Sequence, residues 1–230
     1  MGARLASRSS DDLALAYRRL NAAYAQTLRY AEDVRQLYQR MQRAICQSLL
    51  GLANALEAKD PYTRGHSERV GAWSHRLAGA LGLAPDDVET IAQAGLLHDI
   101  GKIGVPESIL GKRGPLDADE WAAMRRHPVI GAQIVAPFEF LGSASLTIRH
   151  HHERYDGSGY PDGLGGEAIP LGARIVAVAD VYDALTSDRP YRAALSQPEA
   201  IGLLVAEVGR TLDERVVTAF IRLSQDRVGA

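Results

Sequence analysis

Residues 174–180 read Arg174-Ile-Val-Ala-Val-Ala-Asp180, and whether they form a helix or a buried strand decides the fold class. Taken alone, the unbroken apolar run resembles a strand buried on both faces. A strand needs partners, and no other segment of the 230 residues has matching character. With no sheet to join, residues 172–185 are expected to form an apolar helix ending near Thr186, and the fold is expected to be all-α.

The flanking sequence repeats the helical period. Val70, Trp73, Leu77 and Leu81 predict a helix over 67–81, with Gly82 just past its end. Pro85, followed by Asp86, Asp87 and Glu89, opens another that runs to His98 and Asp99. Asp117 and Glu120 stand at capping-box spacing, and Pro128 restarts a helix. Further helices are expected over about 142–152, 197–208 and 213–224, whereas the glycines and prolines of 153–170 predict an irregular loop.

The N-terminal stretch is of another kind. From Asp11 to about Lys59 it contains no proline, and Asp60-Pro61 should end it. Leu13, Tyr17, Leu20, Tyr24, Thr27, Ala31, Val34, Tyr38, Met41, Ile45, Ser48 and Leu52 step alternately by four and three, which is a heptad seam. A helix of about 45 residues needs a partner. Two are available: a second copy, giving a parallel homodimer, or the chain's own folded domain. Its expected work is to hold two domains together or to pass on a signal from an upstream signalling protein. The division expected is 1–50 for a disordered tip plus this helix, and 51–225 for the globular domain.

Bulk properties exclude more than they assign. Twenty-six basic and 28 acidic residues give a net charge of −2, so nothing calls for a nucleic acid duplex, although a compact anionic substrate remains compatible. No run approaches 18 apolar residues, so no membrane span is expected, and residues 1–10 lack an apolar signal core. The single cysteine, Cys46, reads as a buried or seam thiol and fits a cytoplasmic location.

The histidines carry the chemistry. His66 follows a turn, His98-Asp99 closes an apolar helix, His127 sits at a helix break, and His150, His151 and His152 end another helix; Asp180 closes the run quoted above. An isolated His-Asp pair is more often hydrogen-bonded than metal-binding. Three adjacent histidines together with His98-Asp99 tip the reading toward metal. Imidazoles with carboxylates suit Fe, Mn, Zn or Ni, and five or more such ligands exceed what one tetrahedral zinc needs. Asp99 could bridge two ions. The glycines of 157–166 read as loop-shaping, since they lack the strand and helix of a dinucleotide fingerprint. Glu153 and Asp156 could order that loop or take part in chemistry.

The segment 98-HDIGK-102 resembles the signature of the HD superfamily of metal phosphohydrolases. The segment 151-HHERYDGSGYP-161 resembles that of its HD-GYP branch, and 59-KDPYTRGHSERV-70 and 174-RIVAVADVYDALTSDRPYR-192 match the same branch. The resemblance spans about residues 52–220. It implies a helical bundle and hydrolysis of cyclic di-GMP to linear pGpG, GMP or both, by attack of a hydroxide bridging two divalent ions, with Fe or Mn expected first and Zn or Ni next. It further implies one ion on His66, His98 and Asp180, another on His127, His151 and His152, and Asp99 as the bridge, with His150 left out of the set. Asp99 and Lys102 are the catalytic residues on this mapping. Lys102, Tyr160, Asp183, Arg189 and Arg192 are the expected substrate contacts, Asp183 alternatively orienting a ligand histidine or touching Lys102. Members with a glutamate four residues before the first histidine hold three metals; Tyr62 stands there in this chain, so two are expected. Competing readings are a hydrolase of another nucleotide, a non-catalytic cyclic di-GMP sensor, and a structural dimerisation protein. The complete ligand set argues against the sensor, and the scaffold leaves that set unexplained.

Overall fold

The computed structural model describes residues 2–57, 65–112, 114–188 and 193–225. Among these residues there are helices and turns but no strand; the one β-type pairing is an isolated bridge between Val208 and Leu212. The chain divides into two compact units, Met1–Gln47 and Ser48–Ala230.

Helix α1 (Gly2–Glu57) begins at Gly2, where a disordered tip over 1–10 is expected from sequence. Ala3, Arg4, Leu5 and Ala6 are strong helix formers with no proline among them, which accounts for the difference. Along the first unit, Leu13, Tyr17, Leu20, Tyr24, Val34, Tyr38 and Met41 are all exposed in the single chain. The expected terminator Asp60-Pro61 lies outside the described residues, and so does Tyr62.

The second unit is a helical bundle. Helices α2 (His66–Ala80), α3 (Pro85–Leu97), α4 (Glu107–Leu110), α5 (Ala118–Met124), α6 (His127–Val135), α7 (Ala144–His150), α8 (Leu171–Thr186), α9 (Gln197–Ala206) and α10 (Glu214–Gln225) follow in order. The run 174–180 lies in α8, which packs against α2, α3, α7, α9 and α10. A helix enclosed on most sides carries apolar residues around most of its circumference, so its pattern imitates a buried strand. Ile175, Val176 and Val178 are buried there with Val70, Leu77, Leu204, Val217 and Phe220.

Local chemistry sets several boundaries. Gly82, with φ of 79°, closes α2: its N–H bonds to Gly79 O and that of Leu83 to Ala78 O. Asp117 and Glu120 form the reciprocal capping box of α5. The α3 helix stops at Leu97, and Ile100–Gly104 tightens into a 3-10 turn. Gly101 makes this turn fit, because a Cβ there would stand 1.9 Å from His127 O and 2.4 Å from Gly131 N. The turn therefore lies backbone to backbone against the start of α6.

Candidate metal centre

Helix ends converge on one point. His66 opens α2, His98 caps α3 with Asp99 next, His127 opens α6, His151 and His152 follow α7, and Asp180 comes from α8. Ligand atoms of Asp99, His127, His151 and His152 lie within 4.8 Å of one another, and those of His66, His98 and Asp180 do the same. Asp99 stands between the groups: Oδ2 is 3.5 Å from His98 Nε2 and Oδ1 is 3.3 Å from His127 Nε2. All seven side chains expected as ligands from the sequence are thus brought together.

The backbone fixes how the rings point. His98 Nδ1 donates to Gly95 O at 2.8 Å, His127 Nδ1 to Met124 O at 2.8 Å and His151 Nδ1 to Ile148 O at 2.6 Å. Each ring then carries its proton on Nδ1 and aims the Nε2 lone pair at the centre. His66 Nδ1 meets Asp183 Oδ2 at 2.7 Å, leaving its Nε2 3.3 Å from His98 Nε2 and 3.4 Å from Asp180 Oδ1. At such distances these nitrogens and carboxylate oxygens repel unless a proton or a metal cation lies between them. His127 Nε2 and His151 Nε2 are buried with no hydrogen-bond partner among the described residues. Unpaired buried acceptors and a mixed imidazole–carboxylate donor set both fit divalent first-row ions.

Electrostatics divide the two groups. Burial holds His127 and His151 below the usual imidazole range, reinforced by Lys102 at His127 and by the neighbouring histidines at His151. Burial also takes His152 down to about 4. Burial pulls His66 the same way, but hydrogen bonds to Asp180 and Asp183 outweigh it and raise it to about 10. Burial pushes Asp99 up, yet Lys102 and the surrounding histidines prevail and keep it an anion.

Lys102 is set by the end of α3. The α-helix does not continue past His98; in the tighter 3-10 turn residues three apart eclipse. Lys102 Nζ consequently lies 2.5 Å from Asp99 Oδ2. Asp183 departs further from the expected substrate contact. Its buried carboxylate holds His66, and accepts from Arg69 Nε at 2.5 Å and Nη2 at 3.0 Å. The alternative that it orients a ligand histidine is the arrangement found. Arg189 and Arg192 lie outside the described residues.

Tyr160 is placed at the centre by the loop. Its N–H bonds to His152 O at 3.2 Å and its ring lies 4.9 Å from that of His152, tilted by 32°. Burial raises its hydroxyl pKa above the ordinary value. Buried Glu153 orders this loop by accepting the N–H groups of Asp162 and Leu164. His150 joins neither ligand group; it bonds Leu146 O and Asp162, which is also gripped by Arg149. Asp156 closes a turn onto the Ser158 N–H. Arg69 and Asp162 were not foreseen from sequence, because nothing local marks an exposed-looking charge whose partner is far along the chain. A cavity of about 270 Å³ opens beside Asp99, Lys102 and His66, walled by Leu56, Leu110 and Met124.

Known proteins resemble this chain in sequence and in fold. The chain is 48% identical over 178 residues to the cyclic di-GMP phosphodiesterase response regulator RpfG of Xanthomonas campestris, covering 76% of this chain and 47% of that one. It is 42% identical to a cyclic di-GMP phosphodiesterase of Thermotoga maritima, covering 77% and 49%. It is 41% identical to the 3'3'-cGAMP-specific phosphodiesterase 2 of Vibrio cholerae, covering 72% and 32%. The chain therefore spans half or less of the length of these curated relatives. Among solved structures, a cyclic GMP-AMP phosphodiesterase of V. cholerae superposes with a TM-score of 0.62 at 18% identity, covering 78% of this chain and 48% of that one, a likeness of fold. The family profile described as HD domain matches residues 51–216, the stretch that supplies all seven converging side chains, and with the 151–161 segment closing over them the chain belongs to the HD domain family, in its HD-GYP branch.

Proposed function

We propose that residues 51–225 form a metal-dependent phosphodiesterase domain that hydrolyses cyclic di-GMP to linear pGpG, GMP or both. The observation that carries this reading is the pair of ligand groups sharing Asp99, one oxygen toward each. The first group would take one ion and His66, His98 and Asp180 the other, with Fe or Mn preferred and Zn or Ni compatible with the same donors. Divalent ions held there supply Lewis acidity, which acidifies water and neutralises charge on a phosphoryl group. The chain's own residues do the rest. Asp99, kept ionised, holds the two groups in register. Lys102, beside it, offers a cation to charge that develops on the phosphate. Tyr160, seated on His152, faces the nucleotide, and Arg189 and Arg192 are assigned to it from sequence alone.

Cyclic di-GMP is favoured because relatives at 48% and 42% identity are named as its phosphodiesterases. A mixed GMP–AMP cyclic dinucleotide is the second reading, favoured by the 41% identical relative. The deciding experiment is turnover of both nucleotides by anaerobically purified protein reconstituted separately with Fe(II) and Mn(II), with product chromatography. Metal-dependent loss of cyclic di-GMP, abolished in folded His98→Ala and Asp99→Ala proteins, is expected. Tight binding without turnover in fully loaded protein would make it a sensor instead.

The exposed heptad face of α1 supports a parallel homodimer through that helix, which can receive a signal from an upstream protein. Deleting residues 11–48 should convert a dimer to a monomer in solution mass; an unchanged dimer rejects this assignment. Among the described residues no helix is long and apolar enough to cross a membrane. We assign the domain to the cytoplasm.

A further inference from the structure

The proposed mechanism uses neither Trp121 nor Arg125, yet both belong to a line of flat groups leading out of the metal centre. Tyr160 lies over His152, with ring centroids 4.9 Å apart. The Arg125 guanidinium lies 5.4 Å from the Tyr160 centroid and 5.8 Å from that of Trp121. Trp121, Met124 and Arg125 are three and four residues apart, so they share one side of the α5 turn. Met124 fixes where that side sits: its carbonyl accepts the His127 Nδ1 proton, and it lines the cavity that holds Asp99 and Lys102.

Two features of this line have no evident use within the fold. Trp121 is 47% exposed, whereas Trp73 is packed on Tyr182 and Phe220. Arg125 is also exposed, and among the described residues it has no carboxylate partner. Two other cations beside the centre are engaged, Lys102 with Asp99 and Arg69 with Asp183. An exposed indole beside a guanidinium that lacks a carboxylate suits a base stacked on one and a phosphate held by the other.

Resting on the phosphodiesterase reading, we propose that Trp121 and Arg125 form an outer nucleotide subsite: Trp121 stacks a purine base of the cyclic dinucleotide, and Arg125 holds the phosphate that is not being cut. A cyclic dinucleotide carries two phosphates, and a single centre engages one. The second half of the ligand must rest on protein beside the centre, and the Tyr160–Arg125–Trp121 line supplies a surface there.

The test uses the full chain loaded with Mn(II) and mixed rapidly with cyclic di-GMP. Indole fluorescence, read before turnover, should be quenched on binding, because Trp121 is the exposed one of the two tryptophans. Trp121→Ala should remove the quench and weaken binding roughly tenfold to a hundredfold, the range of one lost base–aromatic stack. Trp121→Phe should retain most of the affinity. Arg125→Met should raise KM with little change in kcat and flatten the salt dependence of binding; Arg125→Lys should restore the salt dependence. Metal content and the unfolding transition of these variants should match the parent protein. If the parent binds and turns over the nucleotide while Trp121→Ala and Arg125→Met bind within twofold of it, the subsite is wrong and the phosphodiesterase reading stands. If the loaded parent neither binds nor hydrolyses cyclic dinucleotides, both fall.

Discussion

The Nδ1 atom of His66 lies 2.7 Å from Oδ2 of Asp183, a residue 117 positions further along the chain. That bond points His66 Nε2 at His98 and Asp180, and Arg69 holds Asp183 from behind. Removing such a partner usually costs a metal site roughly ten- to a hundredfold in affinity. Asp183→Ala should therefore lose the ion of the His66 group to a competing chelator while the His127 group keeps its own. Metal analysis after graded chelation reads this as a stable intermediate with one ion. Loss of both ions together, or of neither, rejects the separation.

The two groups should also differ in proton traffic. In metal-free protein at pH 7.5, His127 and His151 are held below the imidazole range and His152 stands near 4, so these three are already neutral. His66, raised to about 10, still carries its proton. An ion entering the His66 group must displace that proton, so its affinity should climb about tenfold per pH unit and level off only near pH 10. The other group should show little pH dependence above the ordinary histidine range. Calorimetric titration in buffers of different ionisation heat counts the protons: loading the His66 group should release about one more than loading the other. Equal release at both would contradict the assignment.

Gly101→Ala should be among the most damaging small substitutions in the chain. Its Cβ would fall 1.9 Å from a backbone oxygen, which no rotamer change can relieve. A loss of about 3 kcal/mol is expected, at the upper end for overpacking, together with weaker metal retention. Gly79→Ala offers the contrast, since nothing lies within 4 Å of that Cβ and the site is helical; it should gain up to about 1 kcal/mol. Thermal unfolding of the two variants side by side settles the difference.

Lys102→Met should separate catalysis from metal binding. The ammonium lies 2.5 Å from Asp99 and competes with any cation for that carboxylate. Its removal should leave metal affinity unchanged or raised, while kcat falls about 10²–10³-fold, as for loss of one group that stabilises developing charge. A variant that loses metal and activity in proportion would show that Lys102 serves the fold of the site instead.

Sequence and structure part company at identifiable places. Helical spacing located α2 and α3, and the want of any partner strand located α8, because all three present apolar residues to one continuous core. The donor types and their order along the chain were enough to select seven residues that the fold does bring together. The role of Lys102 was harder, since one residue of difference between α and 3-10 geometry decides which neighbour it faces. Asp183 was ambiguous for a related reason: its period on α8 places it near the centre, but only the position of α2 reveals that it meets His66 and Arg69. The clasp of Arg149, His150 and Asp162 depends on a loop closing over 12 residues, which no local pattern announces.

At Gly101, finally, the interval between Asp99 and His127 is set by main chain resting on main chain, where no side chain intervenes. Such an interval has no rotamers and does not drift when neighbouring residues are exchanged. Substitutions can then alter the walls of the cavity, at Leu56 or Leu110, without detuning the centre beneath them. A hydrogen atom in place of a methyl group thus makes the reactive core conservative and its rim free to evolve.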